Sequence, residues 1–232
     1  MLVLALDTTT REGSCALARE GRVLREQGSD AAKPQAARLP GDLVTLLEHE
    51  GVTLADVDVY AVSTGPGSFT GLRVGIATMQ GLAFAAGKPL IGISALDALQ
   101  AHEHVHVQLH GARVATWIDA WRGEIYAALY ENGQEVEPPA VAHPDELLPQ
   151  LAGRPTLFIG DGAGTYADAI RAALGADATI ADPVTPLLAG TIARLATEAA
   201  RAGHLPPPHA IRPIYVRRPP SPVPGFGAPG PV

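Results

Sequence analysis

Ser63-Thr64-Gly65-Pro66-Gly67-Ser68-Phe69-Thr70-Gly71-Leu72-Arg73-Val74-Gly75 is the stretch on which the fold turns. The apolar run 57–62 just before it reads as a buried strand. Residues 70–86 read as a helix that stops at Gly87 and Pro89. A strand running through a glycine-rich turn into a helix is the unit of an α/β fold. Backbone N–H groups at such a helix start can cradle an anion. A tight turn that merely caps the helix is the plainer reading of the same residues. The spacing is neither a Walker A loop, which needs Gly-Lys-Ser/Thr, nor a dinucleotide fingerprint. Pro66 stands where a nucleophile elbow around Ser68 needs glycine, which excludes a serine hydrolase of that type.

Outward from this turn, the chain alternates strands and helices. Residues 2–6 form a continuous apolar run, the mark of a buried strand, and end at Asp7-Thr8-Thr9-Thr10. Residues 14–18 and 22–27 flank Arg19-Glu20-Gly21 as a hairpin. Leu43, Val44, Leu46 and Leu47 follow helical spacing up to Gly51, which predicts a helix over 41–50 with Pro40 near its start. A strand over 90–93 and a helix opening at 94–100 close the first half. The second half repeats the order: strands 113–118, 124–130 and 135–141, with Asn132-Gly133 as a hairpin turn, then helix 144–151, strand 156–159 and helix 165–174. A short strand over 179–181 and an amphipathic helix over 186–202, with Leu188, Ile192 and Leu195 on one face, complete it. Each half reads β-β-β-α-β-α. The expected architecture is therefore α/β with two duplicated lobes, 1–105 and 106–205. Residues 206–232 hold ten of the 21 prolines and read as an extended tail, docked on the body over 211–216.

At 232 residues, 47% apolar and 18% charged, the chain is long enough to bury a sizeable core. Lys+Arg 17 against Asp+Glu 24 gives a net charge of −7, which lacks the electrostatic footprint of a protein that holds nucleic acid alone. Arg212, Arg217 and Arg218 are the one late basic cluster. Cys15 stands alone, which excludes an internal disulfide and a cysteine-built zinc site. The apolar start is cut short by Asp7, and no window approaches a membrane span. The cytoplasm is the expected compartment.

Several residues could carry chemistry. Asp7, Thr8 and Thr9 at a strand end, with Gly65 and Gly67 in the turn, could hold a metal–phosphate group. A polar strand end that satisfies its own backbone is the alternative. Gly160-Asp161-Gly162-Ala163-Gly164 is a weaker glycine turn of the same kind. His102, His106 and His110 would share a helix face, and His102, His104 and His106 a strand face. No cysteine assists, and Glu103 points off both faces. A solvated connection between the halves is the expectation, with no metal. Gly71, Gly75 and Gly81 each cost about 1 kcal/mol against alanine inside a helix. Gly71 with Gly75, and Ala77 with Gly81 and Ala85, are spaced four apart. Such a spacing lets a neighbour approach closely, either the chain's own sheet or a helix of a second chain.

Leu4-Ala5-Leu6-Asp7-Thr8-Thr9, the segment from Gly65 to Gly75, and Gly81-Leu82-Ala83 together resemble the TsaB (YeaZ) family. Asp119-Ala120-Trp121-Arg122-Gly123-Glu124-Ile125-Tyr126 and Pro213-Ile214-Tyr215-Val216-Arg217 extend the likeness into the second half. The resemblance implies two RNase H-like lobes of the actin, sugar-kinase and heat-shock ATPase superfamily. It implies a part in making threonylcarbamoyladenosine in bacterial tRNA. It also implies a non-catalytic scaffold that pairs with the glycoprotease-like paralogue TsaD, with the ATPase TsaE joining. The implied chain holds no metal and no tightly bound cofactor, although ATP or ADP could sit at the complex interface. It would meet tRNA through the complex and form a homodimer when alone. TsaD-like chains carry a His-x-x-x-His pair just after the segment matching 88–93; here Ser94-Ala95-Leu96-Asp97-Ala98 stands there. Active ATPases of the superfamily favour a glycine near Asp7, where this chain has threonines. Asp7, Thr8, Thr9, Gly65 and Gly67 are then a vestigial phosphate site. Helices 41–50 and 70–86 would dock on two TsaD helices through Leu43, Leu46, Leu47, Gly71, Leu72, Gly75, Ile76 and Met79. The alternatives are a stand-alone ATP-dependent small-molecule kinase of the same fold, with Asp119 or Asp161 as its catalytic acid, and a zinc hydrolase built on the histidine run.

Overall fold

Leu2–Asp7 (β1) is apolar to its last residue because it runs through the middle of a sheet, buried on both faces. It pairs antiparallel with Ser14–Arg19 (β2) and parallel with Val59–Gly65 (β4). Arg22–Gly28 (β3) forms one edge and Leu90–Ser94 (β5) the other, in the order β3-β2-β1-β4-β5. Glu20 and Gly21 both have positive φ, the type I′ geometry that matches the twist of a two-residue hairpin. The second sheet repeats this plan with Arg113–Asp119 (β6), Ile125–Glu131 (β7), Gln134–Ala142 (β8), Thr156–Ile159 (β9) and Ala178–Ile180 (β10). Its order, β8-β7-β6-β9-β10, is the first order shifted by five strands, and Asn132-Gly133 makes the same type I′ turn as Glu20-Gly21. The duplicated α/β reading is what the chain folds into. The computed structural model describes residues 1–102, 105, 108 and 113–216.

The helices whose full length is described are Gln35–His49 (α1), Phe69–Ala86 (α2), Ala95–Gln100 (α3), Pro144–Leu151 (α4), Asp161–Thr165 (α5), Ala167–Leu174 (α6) and Ala189–Arg201 (α7). Helices α1 and α2 cover one face of the first sheet through a core that includes Leu4, Leu46, Tyr60 and Met79. Around Trp117 and Phe158, edge to face at 5.1 Å, a matching core forms under α4 and α6. Between the sheets lies a third core with an exchange in it. The last helix of each half crosses over: α3 packs on β6, and α7 packs across the first sheet. The start of α7 is capped from the first half. Ser14 Oγ accepts from the N–H groups of Leu188 (3.3 Å) and Ala189 (3.0 Å), and Glu26 accepts from Gly190 at 2.8 Å.

Three expectations need correction. Helix α1 starts at Gln35, and Pro40 lies inside it. The reason is tertiary: Gln35 donates to the Thr10 carbonyl (2.9 Å) and Arg38 to the Arg11 carbonyl (2.8 Å), so the β1–β2 loop holds an extra turn. The helix expected over 165–174 is two helices, broken where Tyr166 leaves helical geometry. The strand expected over 57–62 begins at Val59, behind a short 3-10 turn at Leu54–Asp56 whose Thr53 and Asp56 cap each other. Glu103, His104, His106, His110, Arg217 and Arg218 lie outside the described residues. His102 is buried. Within the described residues, 208–214 lie against the first lobe: Gln80 donates to the Pro208 and Ile211 carbonyls, and Ile214 donates its N–H to the Thr64 carbonyl.

Candidate functional site at the strand ends between the lobes

The three acids singled out by sequence come together where the central strands end. Asp7 closes β1, Asp119 closes β6, and Asp161 opens α5 just after β9. Asp161 Oδ1 accepts the Asp119 N–H at 3.0 Å, and Asp119 Oδ1 accepts the Trp121 N–H at 2.8 Å. Gly160 permits the turn before Asp161. Its φ is +111°, and a Cβ there would lie 2.2 Å from the Trp117 carbonyl oxygen. In the first lobe the equivalent turn is Gly65-Pro66-Gly67, and it presses on Thr9.

The first-lobe strand end is closed by its own groups. Asp7, Thr8 and Thr9 are all buried. Asp7 Oδ1 accepts both the N–H (3.0 Å) and the hydroxyl (2.8 Å) of Thr9. The Thr9 carbonyl accepts the Ser68 N–H at 2.8 Å, and the Ser68 hydroxyl accepts the Gly71 N–H at 3.2 Å. Several amides that could have met an anion therefore serve the loop. Helix α2 crosses tight over that loop, which explains its glycines. A Cβ at Gly71 would lie 2.2 Å from the Thr8 carbonyl oxygen, and one at Gly75 would lie 2.2 Å from Thr8 Oγ1. That hydroxyl is buried and makes no hydrogen bond to any described residue.

Burial pushes the Asp7 carboxyl above the ordinary carboxylate range. The hydrogen bonds from Thr9 and Ser63 oppose the rise, and the charge of Asp161 across the cleft adds to it. Asp161 is raised for the same first reason, with the Asp119 N–H opposing and the Asp119 charge adding.

The eight residues expected to face a partner are placed otherwise. Leu43, Leu46, Leu47, Leu72, Ile76 and Met79 are buried in this chain's own core, and Gly71 and Gly75 face Thr8. The apolar side of each helix is used to hold it on the first sheet. What α1 and α2 turn outward is Val44, Phe69, Arg73, Ala77, Gly81 and Phe84; a Cβ at Gly81 would meet nothing within 4 Å. Sequence reasoning missed the cluster at the start of α2. Arg73 lies 3.8 Å over the Phe69 ring and donates to the Tyr215 hydroxyl at 3.1 Å, clasping the tail. The four-residue spacing of Phe69 and Arg73 was legible, but the arrival of Tyr215 from 142 residues away was not. Among the described residues no three His, Cys, Asp or Glu side chains are grouped to hold a metal, and no helix is long and apolar enough to cross a membrane.

The chain is similar to proteins already known. The family model for TsaD, tRNA N6-adenosine threonylcarbamoyltransferase, matches residues 28–200. The tRNA threonylcarbamoyladenosine biosynthesis protein TsaB of Escherichia coli is 35% identical over 164 residues, covering 66% of this chain and 68% of its own. The Bacillus subtilis protein of the same name is 30% identical over 181 residues, covering 75% of this chain and 77% of its own. Among solved structures, YeaZ from Pseudomonas aeruginosa superposes with a TM-score of 0.76 at 31% identity, over 92% of this chain and 99% of that one.

Proposed function

The chain belongs to the TsaB (YeaZ) family, and from that premise we propose that it acts in the biosynthesis of threonylcarbamoyladenosine in tRNA as a non-catalytic scaffold. In this reading it pairs with TsaD, which carries the transfer chemistry, and TsaE joins the pair. The observation that carries the non-catalytic part is the closure of the first-lobe strand end. Asp7, Thr8 and Thr9 are buried, and the Ser68 and Gly71 amides are bound to Thr9 and Ser68. A phosphate would have to displace these bonds to enter. The segment after β5, Ser94-Ala95-Leu96-Asp97-Ala98, offers no histidine pair where TsaD-like chains bear one.

The pairing face is the outward side of α1 and α2, where Val44, Phe69, Ala77, Gly81 and Phe84 leave apolar surface uncovered. Ala77, Gly81 and Ala85 lie in one row, low enough for a second helix to come close. Without TsaD the same face forms a homodimer. The net charge of −7 sets long-range repulsion against tRNA, so tRNA is met through the complex, where ATP or ADP also has its place.

The test is reconstitution. Purified alone, the chain should transfer no threonylcarbamoyl group and hydrolyse ATP poorly. Mixed with its cognate TsaD, it should elute as a heterodimer in size exclusion with light scattering. Robust turnover by the chain alone, lost on Asp7→Ala, would instead establish the stand-alone ATP-dependent enzyme.

A further inference from the structure

Helix α2 carries Phe69, Arg73, Ala77, Gln80 and Phe84 at three- and four-residue spacings, so they form one row along its outer side. Residues 205–216 run antiparallel to that row. The Pro206 carbonyl accepts the Leu90 N–H just past the end of α2, Gln80 holds the Pro208 and Ile211 carbonyls, and Tyr215 reaches Arg73 and Phe69 at its start. Where this strap begins, it leaves a groove of about 450 Å³ against the end of α2, lined by Phe84, Lys88, Leu205, Pro206 and Pro208 among others. Phe84 stands 80% exposed and Leu205 51%. A phenyl ring left in water at the rim of an apolar groove is surface that gains from being covered.

The chain that follows the strap identifies the occupant. Residues 217–232 lie outside the described residues, but their sequence and point of departure are known. They leave Val216 beside Phe69, at the start of the row whose other end is Phe84. They contain Pro219, Pro220, Pro222 and Pro224, no acidic residue, and one aromatic residue, Phe226. A proline-rich segment is pre-set for extended backbone of about 3.1 Å per residue, so it gives up little entropy on docking. Phe226 is eleven residues beyond Tyr215, a reach of about 34 Å. Phe69 and Phe84 are fifteen helical residues apart, about 22 Å. The surplus of about 12 Å lets the chain reverse direction after Val216. Val223, three residues earlier, reaches only about 25 Å and has almost nothing left for the reversal.

We propose that the chain's own C-terminal segment folds back along α2 and seats the Phe226 ring in the groove beside Phe84, Leu205 and Pro208. The seat is a property of the chain alone and does not rest on the pairing reading. A partner that takes Phe84 has first to displace Phe226.

Paramagnetic broadening in the full chain tests this, with a nitroxide attached at Gly227→Cys. Cys15 is buried and its thiol is pushed up to about 12 by that burial, so it stays unlabelled. Amides of residues 83–88 and of Leu205 should broaden. Phe226→Ala and Phe84→Ala should each lower the ratio of seated to free segment about three- to tenfold. Phe84 is too exposed for its loss to unfold the chain. An equimolar mixture of spin-labelled chain with isotope-enriched, unlabelled chain should show no broadening. Three results would overturn the assignment: sharp amides over 83–88 in the labelled chain, broadening unchanged by either alanine substitution, or broadening in the mixture, which would give the groove to a second copy's segment.

Discussion

Asp7 is held as a buried acid by a loop that gives it two hydrogen bonds and almost no water. Its carboxyl titrates higher folded than unfolded, so the native state binds the extra proton between the two values. Stability is therefore fully present below the unfolded value and falls as pH rises through the folded one. Asp7→Asn keeps an oxygen for Thr9 but carries no charge. It should raise the urea midpoint at pH 7, with an advantage over the parent that shrinks as pH falls towards 4. An advantage that stays constant with pH would mean that Asp7 is not desolvated. The sequence marked Asp7 and the threonines but left open whether they meet a ligand or their own backbone. Thr9 satisfies Asp7 locally, but spacing could not show that the loop is closed to a ligand, because the groups that cover it come from Ser63, Ser68 and α2, more than fifty residues on.

At the scale of elements, the strands and their order were almost wholly legible, since continuous apolar runs and two type I′ turns are local signals. The ends of the helices were not. Helix α1 gains a turn from carbonyls of the β1–β2 loop, and α7 gets its cap from Ser14 and Glu26 of the other half. Nothing around Leu188 announces that cap, because its acceptors lie in β2 and β3. Ser14→Ala should cost about 1 kcal/mol, within the range of other lost caps. Hydrogen exchange would locate the loss: amides at the start of α7 should lose protection together with those of β2. Loss confined to β2 would mean that the cap contributes nothing across the interface.

In the whole molecule, the duplicated lobes followed from the repeated order of elements, but the exchange of last helices did not. It rests on which face each sheet leaves open. The same gap put core residues on the expected partner face, since the apolar spread around α2 gave no direction for its glycines. Two substitutions on that helix now separate the roles. Gly75→Leu drives its side chain into Thr8 and should destabilise the monomer by about 1–3 kcal/mol, read as a lower urea midpoint. Gly81→Leu points into open space and should leave the monomer's urea midpoint within about 0.5 kcal/mol of the parent. It should abolish pairing with TsaD in size exclusion. Pairing that survives Gly81→Leu would move the interface off α2.

The crossing of α7 also sets an order of events during synthesis. The first sheet is complete once Ser94 has left the ribosome, but the helix that covers its second face ends at Arg201. At about 5–20 residues per second, that face waits roughly 5–20 s for its cover. The nascent first half must stay soluble over that interval with Val3, Ala5, Ala16 and Ala61, later part of the inter-lobe core, still facing water. Alanine and valine at those positions, rather than leucine or phenylalanine, keep the waiting surface shallow. A ribosome-bound chain stalled before residue 189 should accordingly be the form on which chaperones act.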